Sequence, residues 1–384
     1  MKALRFERSI ARFAAARIAG TIAPGRGAKV GPLRLADIDP PSLPGPGWHV
    51  VRPRLAGICG SDLATVDGMS SRYFEPIVSF PFVPGHEVVG ELDDGTRVVV
   101  EPVLHCAIRG IDPVCPWCAA GQTNRCERIA FGHLEPGLQS GFCEDTGGGW
   151  STFMVAHDAQ LHRVPEDMSD EDAVMVEPTA CAVHAAAAHS GVGVTVVLGA
   201  GTIGLCTIAA LRHGVDPDGP LIAVAKHPEQ RRLARALGAD VVCEPGELGG
   251  VVRRQTGAMQ IGDQLTTGAD HVFDCVGTSD SIAQSLRVVA PGGTIHLVGM
   301  PGTVSVDLTG LWHREVSITG RYAYTHAEFE QAFHVVRDTG LGRLVSSTYT
   351  LDDFTSALQH AAEAGRRGAV KIAFDLRDEK ERNQ

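Results

Sequence analysis

The chain changes its hydrophobic rhythm once, near residue 192. Before that point Val and Ile alternate with polar residues in short runs bounded by Pro and Gly: HVVRPRLAGI from His49, FVPGHEVVGEL from Phe82 and GTRVVVEPVL from Gly95. A period of two between turn formers predicts half-buried strands, so residues 1–177 are read as a mainly β domain with long loops. Beyond it the pattern becomes apolar strand, turn, helix, and repeats. VTVVLG leads into a helix reaching Arg212, LIAVA precedes PEQRRLARALGA, HVFDCVG precedes SIAQSLRVVA, and TIHLVGM follows. Strands alternating with helices of that length predict a parallel sheet with crossover helices over residues 178–323. Residues 324–384 add the helix HAEFEQAFHVVRDTG, then STYTLDDFTSALQHAAEAG and the strand AVKIAFDL. This tail is expected to return and pack on the first domain, with Asp378 to Gln384 fraying.

A length of 384 residues suits two domains, and 44% apolar with 21% charged residues excludes a disordered, collagen-like or coiled-coil chain. Lys plus Arg number 34 against 45 Asp plus Glu, and the basic residues do not cluster, which argues against a nucleic-acid partner. The uncharged stretch Ser190–Leu211 has the length of a membrane span. Five glycines between Gly191 and Gly204 break it into a strand and a helix, so no membrane partner is expected. The opening MKALRFERSIARFAAARIAG, with Arg5, Arg8, Arg12 and Arg17, brings a transit peptide to mind. Glu7 breaks the acid-free pattern, and the arginines interrupt any secretory core. Of ten cysteines, four fall between residues 106 and 126 and six are single among apolar neighbours. That placement suits a metal site in a reducing cytoplasm better than a disulfide frame.

Gly199-Ala200-Gly201-Thr202-Ile203-Gly204 fits G-x-G-x-x-G. In a chain with 45 glycines the pattern alone is weak, but here it follows a strand and opens a helix. In that context the first glycine allows the turn, the second admits a pyrophosphate, and the third lets helix pack on strand. The carboxylate that usually holds the ribose 2'-hydroxyl after the second strand is missing, since Ala225 is followed by Lys226 and His227. Arg231 lies one turn further, so cations can approach a 2'-phosphate, and the pattern points to NADP over NAD.

Cys115-x2-Cys118-x7-Cys126, with Cys106 upstream, offers four thiols in 21 residues, enough for tetrahedral zinc. Asp112 sits at a tighter spacing than Cys106 and competes for the first place. Elsewhere, Cys59 in GICGSD and His86-Glu87 in PGHEVVG each stand next to glycine; alone, neither is specific. Glu177 in VEPTAC is a carboxylate in an apolar stretch, and a metal partner would offset the cost of burying it.

Together GICGSD, PGHEVVG, the cysteine lobe, EPTACAVHA, GAGTIG, VFDCVG, GGTIHLVGM and GAVKIAF make the chain resemble the zinc-dependent medium-chain alcohol and polyol dehydrogenases over nearly its whole length. The resemblance implies an α/β architecture: a GroES-like β domain plus a Rossmann doubly wound domain, with the active site in the cleft between them. It implies Cys59 and His86 as ligands of a catalytic zinc. Glu177 stands where many alcohol dehydrogenases have cysteine and polyol dehydrogenases often have glutamate. Glu87 resembles an acid that either coordinates the metal or lies just behind it, and Ser61 the hydroxyl that takes the substrate proton. The histidine that many relatives carry shortly after that serine is replaced by the run Leu63, Ala64, Thr65. Cys106, Cys115, Cys118 and Cys126 are implied as ligands of a structural zinc. Val276, Gly277, Val298, Gly299 and Lys371 join the glycine loop as implied cofactor contacts. The substrate is then an alcohol or carbonyl compound, with Tyr73, Phe74 and Trp150 as pocket or core candidates. Thr294–Ile318 is β-prone and apolar, as in relatives that pair edge to edge into homodimers or homotetramers. The competing readings are a metal-independent carbonyl or enone reductase of the same fold and a silent NAD(P)-binding protein.

Overall fold

The computed structural model describes residues 1–300 and 302–382. The chain forms two units, Met1–Glu177 with Tyr324–Gln384, and Pro178–Ala323. The first unit opens with β1 (Lys2–Phe6) paired antiparallel to β2 (Leu33–Asp37), with α1 (Ile10–Ile22) between them. The Arg-rich opening is thus strand plus helix: Ala3, Leu4 and Phe6 are buried, and the amide of Leu4 donates to Trp150 O. Five alanines favour helix in α1, and Ser9 caps its start by accepting from the amide of Arg12. This helix is an element that the mainly β pattern of the first half does not announce.

The alternating runs form β3 (Trp48–Gly57), β4 (Val88–Glu91) and β5 (Arg97–Val100), followed by β6 (Met154–His157) and β7 (Leu161–Arg163). Helix α2 (Gly60–Val66) follows β3, and α3 (Val176–Ala186) begins with Glu177 in its first turn.

In the second unit β8 (Thr195–Leu198), α4 (Thr202–Ala210), β9 (Leu221–Val224), α5 (Pro228–Ala236), β10 (Val241–Cys243) and α6 (Leu248–Thr256) come in turn. A small hairpin of β11 (Gln260–Ile261) and β12 (Gln264–Leu265) precedes β13 (Ala269–Asp274), α7 (Ser279–Val288), β14 (Val289–Leu297) and β15 (Ser317–Gly320). The six-stranded sheet is parallel throughout, in the order β10-β9-β8-β13-β14-β15. Helices need both faces of such a sheet, which is why every residue of β8 and β9 is buried and neither alternates. The strand order reverses direction between β8 and β13, the switch point where this architecture binds dinucleotides. The helix expected to reach Arg212 ends at Ala210 and widens into a π-turn over Leu211–Val215. Ser190–Leu211 accordingly splits into loop, strand and helix, and no helix among the described residues is long and apolar enough to cross a membrane.

The chain returns to the first unit with α8 (His326–Thr339), β16 (Val345–Tyr349), α9 (Phe354–Ala362) and β17 (Lys371–Asp375). The resulting sheet runs β16-β17-β3-β4-β5-β7, with β6 also on β3. Its core gathers Phe82, Trp150, Leu358 and Phe374. Trp150 is therefore core, its indole N–H donating to Gly57 O, whereas Tyr73 is exposed beside Phe74. The expected fraying from Asp378 is corrected in part: Glu379–Arg382 is helical, and Glu381 accepts from Arg54 at 3.1 Å. Positions 383 and 384 lie outside the described residues.

Candidate catalytic and metal sites

Cys59 ends the loop after β3 and caps α2; its amide donates to Asp62 Oδ2 at 2.9 Å. Asp62 turns its other oxygen toward His86, 3.4 Å from Nδ1, and neither of these two buried atoms has a well-aligned hydrogen-bond partner. The opposite ring nitrogen, Nε2, lies 3.5 Å from Ser61 Oγ. Burial works against a charged His86, but Asp62, followed by the Cys59 thiol, holds its pKa well above the usual value. A carboxylate behind one imidazole nitrogen, with thiol and hydroxyl near the ring, is the arrangement that orients a histidine toward a metal.

The two candidate acids are separated by their partners. Glu87 is paired with the buried ammonium of Lys371, which also donates to Ile58 O. Gly57 makes room for this pair, because a Cβ there would stand 2.0 Å from Glu87 Oε2. Lys371, expected to be a cofactor contact, is placed on Glu87, whose charge outweighs burial and raises the lysine pKa. Glu177 instead accepts from Tyr324 Oη at 2.9 Å. Burial pushes the Glu177 carboxyl up to about 7, with His86 opposing.

Asp62, Glu87 and Glu177 are all buried here against one lysine and one imidazole. That excess of buried negative charge, with a thiol beside it, fits a divalent cation of the zinc type. Two other groups among the described residues bring all their donor atoms within 4.8 Å of one another: Cys106, Cys115, Cys118 and Cys126, and Glu101, His162 and His326. The Cys59, His86 and Glu177 set is not one of them.

In the cysteine group Cys106 Sγ is 3.6 Å from Cys126 Sγ and accepts from the amide of Cys115 at 3.4 Å. Zinc–sulfur bonds of about 2.3 Å put tetrahedral thiolates about 3.8 Å apart, so the group needs little movement to close on an ion. Cys106 is in the cluster and Asp112 is not. Burial opposes ionisation of Cys115, yet amides of Cys118 and Glu127 bring its pKa down to about 6. The lobe is stapled by Arg109, fully buried, which donates to the carbonyls of Leu104, Phe131, Leu134, Glu135 and Gly137.

In the second unit Gly199 sits at φ +93°, Gly201 caps α4, and open space surrounds Gly201. A Cβ on Gly204 would stand 1.8 Å from Gly199 O, so close packing requires glycine there. Thr202 and Ile203 form the first turn of α4, whose unpaired amides suit a phosphate. The amides of Val276 and Gly277 donate to Asp274 Oδ1, and those of Val298 and Gly299 to Asp274 O, which fixes both loops at the strand ends. Lys226 is exposed and His227 caps α5. Arg231 is more committed than expected: it donates to Ala225 O and Lys226 O and pairs with Glu244 at 2.9 Å.

Residues 45–166 match the alcohol dehydrogenase GroES-like domain, and residues 202–338 the zinc-binding dehydrogenase family. Sorbitol dehydrogenase of Arabidopsis thaliana is 31% identical over 388 residues, covering 93% of this chain and 99% of that protein. The chain belongs to the zinc-binding alcohol and polyol dehydrogenases. The dehydrogenase is also 28% identical to L-idonate 5-dehydrogenase of Vitis vinifera, over 90% of this chain and 93% of that one. Its fold is similar to that of 2R,3R-butanediol dehydrogenase from Bacillus subtilis, with a TM-score of 0.72, 22% identity and coverage of 97% and 99%. It is thus an oxidoreductase that uses zinc and a nicotinamide cofactor.

Proposed function

We propose that this dehydrogenase oxidises a polyol reversibly at one hydroxyl with NADP, and that it carries two zinc ions per chain. The reading rests on the partly exposed Cys59 next to the buried His86 and Glu177, with the buried carboxylates of Asp62 and Glu87 beside them. Glutamate at position 177 supports a polyol rather than a simple alcohol. Cys59, His86 and Glu177 would hold the catalytic zinc; Cys106, Cys115, Cys118 and Cys126 the structural one. When bound, the zinc supplies a Lewis acid that favours alkoxide over alcohol, and the nicotinamide supplies the hydride acceptor.

The chain's own residues do the rest. Ser61 Oγ accepts a hydrogen bond from the substrate hydroxyl and relays its proton, giving up its own Oγ–H proton to water in the same step. Asp62 fixes the ring of His86 from behind, and Tyr324 fixes the Glu177 carboxylate. Glu87, neutralised by Lys371, stays behind the site rather than joining the ligands. Residues 178–323 bind the cofactor at Gly199, Gly201, Thr202, Ile203 and Gly204, with Lys226 taking the 2'-phosphate beside an uncharged Ala225. Residues 1–177 and 324–384 form the catalytic part. A cytoplasmic homodimer or homotetramer completes the reading, supported by β15 at the sheet edge.

Protein purified without chelators should contain two zinc ions per chain. Cys59→Ala should lose one of them and all turnover with little change in Tm, whereas Cys118→Ala should lose the other together with stability. A panel of polyols assayed with both cofactors should give higher kcat/KM with NADP. Zinc-free protein overturns the metal reading, and a preference for NAD overturns the assignment of Lys226.

A further inference from the structure

Away from Cys59 and His86, a second mixed group of donors meets on the seven-stranded sheet. Glu101 follows β5 directly, and His162 lies on the adjacent strand β7, opposite Val99. His326 is the first residue of α8. One oxygen of Glu101, Oε2, is 3.0 Å from His162 Nε2 and 3.0 Å from His326 Nδ1. Its other oxygen, Oε1, is buried with no hydrogen-bond partner, although Glu101 is only 1% exposed. The other nitrogen of His162, Nδ1, is paired with Glu330, one turn along α8 from His326.

As protein alone, this arrangement leaves a buried carboxylate oxygen unsatisfied while two imidazoles compete for its neighbour. As a ligand set it is ordered. Zinc bound at about 2.0–2.1 Å in a tetrahedron places its donors about 3.3 Å apart, a few tenths beyond the separations here. With Nδ1–H given to Glu330, His162 keeps its Nε2 lone pair for an ion, the carboxylate–histidine–metal arrangement that fixes tautomer and ring orientation. The side chain of His326 is 60% exposed and provides the route of entry. Two imidazole nitrogens and one carboxylate suit a divalent first-row transition ion better than calcium or magnesium, which take oxygen ligands.

We propose that Glu101, His162 and His326 form a third metal site, distinct from both cysteine-containing groups, with Glu330 orienting His162. An ion there joins the start of α8 to strands β5 and β7. Its chemistry is that of zinc, cobalt or ferrous iron.

The test uses the full chain equilibrated with Co²⁺, passed through gel filtration and counted by elemental analysis, beside crystals soaked in Co²⁺ and measured at the cobalt edge. Wild type should bind one more Co²⁺ per chain than His326→Ala, and an anomalous peak should stand between Glu101, His162 and His326. Glu330→Gln should still bind that ion, about 10–100-fold more weakly. His326→Asp should restore the count. Failure of either cysteine-containing site would lower the counts of wild type and variant equally, so the difference reports this site alone. Equal counts in wild type and His326→Ala, or a crystal with cobalt on the cysteine lobe and none here, overturns the proposal.

Discussion

The phenol of Tyr324 donates to a carboxylate 147 positions earlier, and this bond sets the orientation of Glu177. Because the ring itself is buried against Phe329, Tyr324→Phe should keep the packing and lose only the bond. Hydrogen bonds to charged groups contribute about 1.5–3 kcal/mol, so kcat should fall roughly tenfold or more while KM changes less. Zinc should also exchange faster from the Cys59 set; unchanged kcat and zinc retention would remove Tyr324 from the site. Cys59, Ser61, His86, Glu87 and Glu177 could be picked out as candidates because each lies in a short run where glycine or proline fixes the backbone, whereas the place of Asp62 behind His86 was not read. Tyr324 and the Lys371 partner of Glu87 left no such mark, since long-range pairs have no spacing to read. The same holds for His162 and His326, each an ordinary histidine until the fold brings Glu101 between them.

Among the elements, the cysteine lobe and the second-unit sheet carry different loads. The lobe has little secondary structure, so its loop is held by Arg109 and by the thiol cluster. Cys106→Ser should abolish zinc at this site, while Asp112→Asn should leave the zinc content unchanged; metal analysis of the two variants separates the alternatives that spacing alone left open. In the second unit His189, His271 and His296 stack beside Phe273. Burial pushes His189 down to about 4 and His296 down to about 3. Unfolded histidines titrate near 6.5, so between pH 6.5 and 3 the unfolded chain binds more protons than the native one, and stability falls as pH falls. Each of these two residues should cost up to about 2 kcal/mol between pH 7 and pH 5. Urea midpoints measured at both values check this: His296→Phe should flatten the difference, and an equal wild-type midpoint at both would refute it. Strand and helix order in this unit was readable from the apolar runs, but α1 was not, since its alternation of Ala, Arg and Ile also suits a targeting segment.

At the scale of the molecule, β15 leaves one edge of the parallel sheet open, and Leu308 and the 78%-exposed Trp312 lie in the segment before it. An edge strand offers backbone groups to which a second copy can pair, as the proposed homo-oligomer requires. Sedimentation in dilute solution should give a multiple of the chain mass, and Trp312→Glu should shift it toward one chain; a wild-type mass of one chain would refute the pairing. The division of the chain has a further consequence for its making. The strands of the second unit are contiguous, so that unit is complete in sequence once Ala323 has left the ribosome, whereas β3 waits for β17 and Glu87 waits for Lys371. During synthesis the buried carboxylate of Glu87 is thus neutralised late, and a chain cut short before residue 371 would emerge with a finished parallel sheet and an incomplete first unit.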